Sequence, residues 1–282
     1  MNISLLRRRA TSIIMTSFVG ILAFLSVLAL ILILGHLVYK GASSIDWNFF
    51  VKNPVSPGQP GGGIANAIVG TAIVVALAGL IGLPVGIGAG LYLAEYGNGQ
   101  LGWIVRFLAD VLNGTPSIVI GIFAWTWMVK PMGHFSALAG GAALAALMLP
   151  MITRTTEEMV RLVPHSLREA ALALGYARWR TSLRIVARSA LAGIVTGCLV
   201  GIARIAGETA PLLFTALGNQ NFSTAVLQPM QTLSLQIFVY ATGPFDEWHR
   251  LAWGAALVLM GLVLAFGLAA RYVTRSRFAS GR

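Results

Sequence analysis

Long uncharged apolar runs set the pattern of this chain. A helix rises about 1.5 Å per residue, so about 20 apolar residues cross a hydrocarbon layer about 30 Å thick. Runs near or above that length predict spans over 13–38, 64–94, 189–214 and 251–270, with shorter ones over 115–129 and 135–152. The second run carries no charge at all, and its Gly82, Gly86 and Gly90 recur every fourth residue. That spacing lets two helix backbones approach closely. Pro84 in the same run predicts a kink. Between the first two spans, Pro54, Pro57, Pro60 and Gly61-Gly62-Gly63 predict a loop. Asn113-Gly114-Thr115-Pro116-Ser117 predicts a break and restart, with Thr115 as N-cap and Pro116 at the first helical position.

Composition agrees with lipid rather than water around the chain. Only 10% of the 282 residues are charged and 57% are hydrophobic, against about 25% charged in soluble domains. So few charges do not coat a water-facing surface. The expectation is an all-α integral membrane protein, residues 1–282 forming one domain of six transmembrane helices. Arg7-Arg8-Arg9 before the apolar stretch 10–39 resembles the opening of a signal peptide. The stretch is too long for a signal's apolar core and lacks a small-residue cleavage site, so a retained first helix is expected.

The net charge of +11 changes the picture through its distribution. With the N-terminus inside, fifteen arginines flank the inner ends of the spans: Arg7, Arg8, Arg9, Arg106, Arg154, Arg161, Arg168, Arg178, Arg180, Arg184, Arg188, Arg271, Arg275, Arg277 and Arg282. Four basic residues, Lys40, Lys52, Lys130 and Arg250, fall outside. This asymmetry predicts cytoplasmic N- and C-termini. It also explains the basicity without nucleic acid. Cys198 is the single cysteine, and His36, His134, His165 and His249 show no ligand spacing, so no metal site is expected.

Residues 153–184 form the longest inner loop, and its pattern is helical. Pro164 opens a segment with Leu167, Ala170, Ala171 and Leu174 on one face, and Gly175 follows as a helix-ending glycine. A second segment, 178–186, sets Trp179 and Leu183 among arginines. Such a helix pair lies on anionic lipid or docks on a soluble partner.

Glu169-Ala170-Ala171, then Gly175, then Ile185 ten residues later resembles the EAA loop of permeases in ATP-binding-cassette importers. One departure is plain: the family's Ile-x-Leu-Pro ending is here Ile185-Val186-Ala187-Arg188. Glu169–Gly175, the run Ala203-Arg204-Ile205-Ala206-Gly207-Glu208-Thr209-Ala210-Pro211-Leu212-Leu213, and Asn113–Val119 together resemble the permeases of the bacterial phosphate importer. The resemblance implies a type I importer permease fold in the bacterial plasma membrane. It implies that Glu169, Ala170, Ala171 and Gly175 couple to an ATPase. It also implies the partners: a homologous second permease, two ATPase subunits, and a periplasmic or extracellular phosphate-binding protein. No cofactor belongs to this chain. A phosphate-cradling G-x-x-x-x-G-K-[ST] sequence is absent, so ATP hydrolysis falls to a separate subunit.

Arg204 and Glu208 stand inside an apolar run, four residues apart and so on one face of a continuous helix. An ionised side chain within a span costs on the order of 3 kcal/mol. Arg204 lies sixteen residues beyond Arg188, about 24 Å along a helix. Two readings stand: a buried ion pair that fixes packing, or an anion pathway. The resemblance favours the pathway, with a guanidinium fork for phosphate oxygens and Glu208 accepting the hydrogen of HPO₄²⁻. Thr209 and Thr215 would add hydroxyls there, or bond their own helix backbone as threonines in a span usually do. Transport of sulfate or molybdate, or transport without an ATPase, are the alternatives. The outer segment 219–250, with Gln228, Gln231, Gln236, Asp246 and Glu247, is either a solvated loop with a short helix or a docking surface for the binding protein.

Overall fold

The computed structural model describes residues 3–56, 59 and 61–278; Pro57, Pro60 and Arg282, read above as loop and flanking charge, lie outside these. Among the described residues the regular structure is helical, with one isolated bridge between Leu217 and Met230 and irregular stretches between the helices. The principal elements are α1 (Ile3–Ala42), α2 (Ala65–Tyr96), α3 (Gln100–Gly114), α4 (Ser117–Met132) and α5 (Ala137–Arg161). They continue with α6 (His165–Ala173), α7 (Arg178–Ala206), α8 (Leu233–Ala241) and α9 (Asp246–Phe278). Five of them, α1, α2, α5, α7 and α9, are long and apolar enough to cross a membrane. Counting the bent pair α3 and α4 as one gives six.

The bend between α3 and α4 is 106°, and its chemistry differs from the sequence reading. Thr115 is extended, and its hydroxyl donates back to the carbonyl of Val111 at 2.7 Å. It therefore closes α3 rather than capping α4. Pro116 occupies the N-cap position and Ser117 opens the helix. The start of α4 falls one residue later than expected, with the Thr115 hydroxyl turned back to α3 rather than forward to cap α4.

Two boundaries also shift. α5 runs to Arg161, beyond the apolar stretch that ends near Ile152, because neither glycine nor proline interrupts Thr153–Arg161. α7 begins at Arg178 rather than near Ser189. Its early turns include a π-helical turn, Thr181–Val186, in which the Ala187 N–H reaches the Ser182 carbonyl. The family's proline is missing after Ile185, so nothing stops the helix there. The connector between α5 and α7 is accordingly short and holds only α6.

α5 is the central element, gripped from two sides by glycine stripes. On α2, a methyl at Gly82, Gly86 or Gly90 would meet Met148, Ile152 or Thr156 at 2.6, 2.9 and 2.5 Å. On α7, a methyl at Gly193, Gly197 or Gly201 would meet Met159, Thr155 or Ile152 at 2.4, 2.4 and 2.8 Å. The four-residue repeat predicted for α2 thus has a partner, and α7 carries a second repeat. Val74, Ala78, Leu144, Met148 and Ile205 fill the core between them. By contrast α1 stands exposed along its apolar length. It meets α9 near its end, where His36 packs edge-on against Trp253 and Gly41 lies against the Trp253 carbonyl.

Close helix packing predicts a positional contrast. Gly90→Ala forces a methyl against the Thr156 Cβ and the Thr153 carbonyl, and such overpacking costs about 1–3 kcal/mol. Gly88 has open space around it, so Gly88→Ala leaves stability unchanged or slightly raised. Heat-induced loss of the monodisperse protein in detergent, followed by size-exclusion chromatography, separates the two.

Candidate functional site

Two groups of side chains stand at opposite ends of α7, a helix of 29 residues and so roughly 43 Å long. One is the short helix α6 with the surrounding arginines. The other is the break after Ala206.

Pro164 precedes α6 and supplies its N-cap backbone, and Gly175 ends it in a left-handed conformation, φ +81°. The Gly175 N–H donates to the Leu172 carbonyl at 2.9 Å and the Tyr176 N–H to the Ala171 carbonyl at 3.2 Å. Paired bonds of this kind form a Schellman end, which favours glycine because a side chain in the left-handed region costs about 1–2 kcal/mol. Ala171 is buried and anchors the helix, whereas Glu169 and Ala170 are exposed. Leu167 and Leu174, expected on the anchored face, are exposed as well, Leu174 at 79%. With Leu162, Tyr176 and Trp179 they form an uncovered apolar surface at the arginine-rich end.

The arginines there form a network that charge counting does not reveal. Glu157 on α5 is 3% exposed and binds Arg106 of α3 at 2.8 Å and Arg161 at 2.7 Å, with Arg154 at 3.5 Å. Arg106 also donates to the carbonyls of Gly97 and Leu93 at 2.9 and 3.0 Å, the end of α2. Arg154 reaches on to Asp110 of α3 at 2.5 Å. These guanidiniums thus fasten α3 to α2 and α5. A second cluster joins Arg168 of α6 to Glu95 of α2 at 3.0 Å, and Ser182 of α7 donates to the same carboxylate at 3.0 Å. Spacing gave one signal for the first cluster: Glu157 lies three residues after Arg154 and four before Arg161. Nothing local pointed to Glu95.

At the other end, α7 stops at Ala206, and Gly207 closes it with bonds to the carbonyls of Arg204 and Ile205. A one-turn helix, Ala210–Leu213, restarts after the break, with Pro211 in its first turn. Arg204 and Glu208 therefore do not share a continuous helical face, contrary to the sequence reading. No ion pair joins them. Arg204 is exposed on the last turn of α7, Glu208 and Thr209 are half-buried in the break, and the three stand within six consecutive residues. The Glu208 carbonyl accepts the Ser234 hydroxyl at 2.8 Å, which ties the break to α8. Gly121 of α4 lies against the Pro211 backbone, where a methyl would be 2.7 Å away. Thr215 is buried and donates to the Pro211 carbonyl at 2.8 Å, so its hydroxyl is used inside the fold.

The outer segment is a largely exposed stretch over 220–228 followed by the short helix α8, but it is not solvated over 230–236. Met230, Gln231, Leu233, Ser234, Leu235 and Gln236 are buried, and the Leu233 N–H donates to Thr71 of α2 at 2.8 Å. Gly70 admits the Gln231 carbonyl into the space a methyl would need. Gln231 and Gln236 thus belong to the core, whereas Phe222, Leu227 and Gln228 remain exposed.

The chain is a helical bundle with a short helix, α6, projecting at one end and a long helix, α7, broken after Ala206. The chain belongs to the binding-protein-dependent transport system inner membrane components, whose family model matches residues 86–278, more than half its length. Among particular relatives, it is 50% identical over 237 residues to phosphate transport system permease protein PstA of Xylella fastidiosa (strain Temecula1 / ATCC 700964), covering 83% of this chain and 82% of that one. The PstA of Yersinia pestis is 47% identical over 245 residues, covering 86% and 83%. Among solved structures, a bacterial alginate ABC transporter in complex with its alginate pentasaccharide-bound periplasmic protein matches with a TM-score of 0.64 at 15% identity, covering 94% of this chain and 96% of that one. The inward-facing MetNI methionine ABC transporter matches at 0.59 and 20% identity, covering 76% and 93%. These structures share the fold.

Removing the charge of Glu157 leaves Arg106 and Arg161 without their carboxylate. Breaking a buried pair costs about 3–5 kcal/mol, and the solvent reaching Arg161 reduces this to about 2 kcal/mol. Glu157→Gln thus lowers the denaturation midpoint of the purified protein, while Glu158→Gln at the exposed neighbouring position leaves it in place.

Proposed function

We propose that this chain is the membrane permease subunit of an ATP-driven inorganic phosphate importer. The observation that carries the reading is the place of Arg204. A charged side chain within a span faces protein or water rather than lipid. Yet Arg204 is exposed in the isolated subunit and makes no ion pair with Glu208. Its guanidinium is therefore left for a neighbour or a passing anion, and the identity to PstA relatives names the anion as phosphate.

A second, homologous permease would cover this surface and close one pathway between the two subunits. Two ATPase subunits would sit below the permease pair, one of them binding the exposed face of α6 through Glu169 and Ala170, with Ala171 and Gly175 fixing the helix from behind. A phosphate-binding protein would meet the exposed part of the outer segment. Fifteen flanking arginines against four outer basic residues support a topology with α6 and both termini in the cytoplasm of a bacterial cell. Nucleotide-driven movement of α6 then reaches the Arg204 break through α7. The chain itself makes and breaks no covalent bonds.

At the break, Arg204 would bind phosphate oxygens with its planar fork, Thr209 would offer a hydroxyl, and Glu208 would accept the hydrogen of HPO₄²⁻. Sulfate carries no such hydrogen near neutral pH, so a fixed carboxylate repels it. Losing one charge-assisted bond costs about 1.5–3 kcal/mol, roughly tenfold to a hundredfold. Arg204→Ala in cells lacking other phosphate importers is expected to cut radiolabelled phosphate uptake by that factor, with Arg204→Lys between it and wild type. Unchanged uptake in Arg204→Ala would remove the basis of the reading. Glu208→Gln is expected to admit sulfate as a competitor, which assays of phosphate uptake in excess sulfate measure.

A further inference from the structure

We propose that Arg168 is the positioning residue that makes α6 move as one body with α2, α5 and α7, using Glu95 and Ser182 as its counterparts. The proposal rests on the ATP-driven importer reading and goes beyond it. Contact with an ATPase explains why α6 is exposed, but not how a displacement of nine residues at the rim reaches the bundle.

Each face of the Arg168 guanidinium is engaged. Its Nε donates to Glu95 Oε1 at 3.0 Å, its Nη2 to the Val160 carbonyl at 2.8 Å, and its Nη1 to the Val163 carbonyl. Glu95 lies in the last turn of α2. Val160 lies in the last turn of α5 and Val163 just beyond it; the Val160 carbonyl also accepts the Val163 N–H at 3.2 Å. The second Glu95 oxygen accepts the Ser182 hydroxyl at 3.0 Å, in the π turn of α7. One side chain of α6 thus links three membrane helices. Both partners are largely enclosed, with side-chain exposures of 15% for Arg168 and 12% for Glu95, so water screens the pair little.

Arginine is required by geometry as well as charge. Three donors must point in three fixed directions at once, which the rigid guanidinium does and the single ammonium of lysine does not. The rest of the connector offers little stiffness: residues 174–177 form only the end of α6 and a turn before α7. Beside the clamp is a cavity of about 500 Å³ lined by Tyr96, His165, Leu172, Arg178 and Thr181 among others. Without the clamp, α6 has room to shift into that space and leave the bundle behind.

The test uses the full importer, this chain with its partner permease, ATPase and binding protein, reconstituted in liposomes. Phosphate uptake, ATP hydrolysis with and without loaded binding protein, and the amount of ATPase co-purified are measured together. Arg168→Gln and the isosteric Glu95→Gln are expected to retain the ATPase and its basal hydrolysis. Uptake per ATP hydrolysed falls at least tenfold. Arg168→Lys loses less than Arg168→Gln, and Ser182→Ala less again. If uptake and hydrolysis fall in parallel with the amount of assembled complex, Arg168 only supports folding and the proposal is overturned. Unchanged uptake per ATP in Glu95→Gln overturns it too. A wild-type complex that hydrolyses ATP without moving phosphate would sink the importer reading and this proposal with it.

Discussion

The structure depends on how closely two helices approach α5. Glycines on α2 and α7 remove side chains where Met148, Ile152, Thr155 and Thr156 need room, so three backbones share one core. In lipid, apolar surfaces gain little from leaving their surroundings, and association rests on dispersion and close fit. Small residues at the crossing are the means to that fit. Because α5 is held on both sides, its ends are fixed relative to α2 and α7, and the polar groups at each end of the bundle meet reproducibly.

Those polar ends divide the work. At the arginine-rich end, Glu157 and Glu95 collect guanidiniums from α3, α5 and α6, converting an excess of positive charge into joints between helices. At the other end, charge is sparse and left open. Arg204 stands on the last turn of α7 and Glu208 in the break that follows, where the helix gives up its regular bonding and Ser234 holds the backbone. One end holds its helices together through ion pairs, whereas Arg204 and Glu208 form none among the described residues.

Much of this was legible in the sequence. Uncharged runs gave the long helices, and the four-residue repeat at Gly82, Gly86 and Gly90 announced a close crossing without naming α5 as the partner. Gly175 was legible as a helix end because only a left-handed residue closes that turn. What hydropathy missed has physical reasons. It ends where lipid ends, not where a helix ends, so it cut α5 short of Arg161 and started α7 too late. It scored the segment around Gln231 and Gln236 as solvated because it weighs polarity, whereas burial there depends on Gly70 and Thr71 far away in the chain. The Arg204–Glu208 spacing implied a shared face only if the helix continued, and Gly207 ends it. Glu95 could not be found at all, since its partners lie more than seventy residues on.

The π turn at Thr181–Val186 has a consequence for how α7 presents itself. Such a turn inserts one residue into the helical repeat, and so rotates everything before it by about 100° relative to everything after it. In a regular helix Ser182 would project almost in line with Gly193, eleven residues on, and would aim at α5. The extra residue swings Ser182 round toward Glu95 on α2, while Gly193, Gly197 and Gly201 keep their seat on α5. A single helix thereby has two azimuths, one for the joint at the rim and one for the crossing within the bilayer. Shortening it by one residue at that point would turn one against the other.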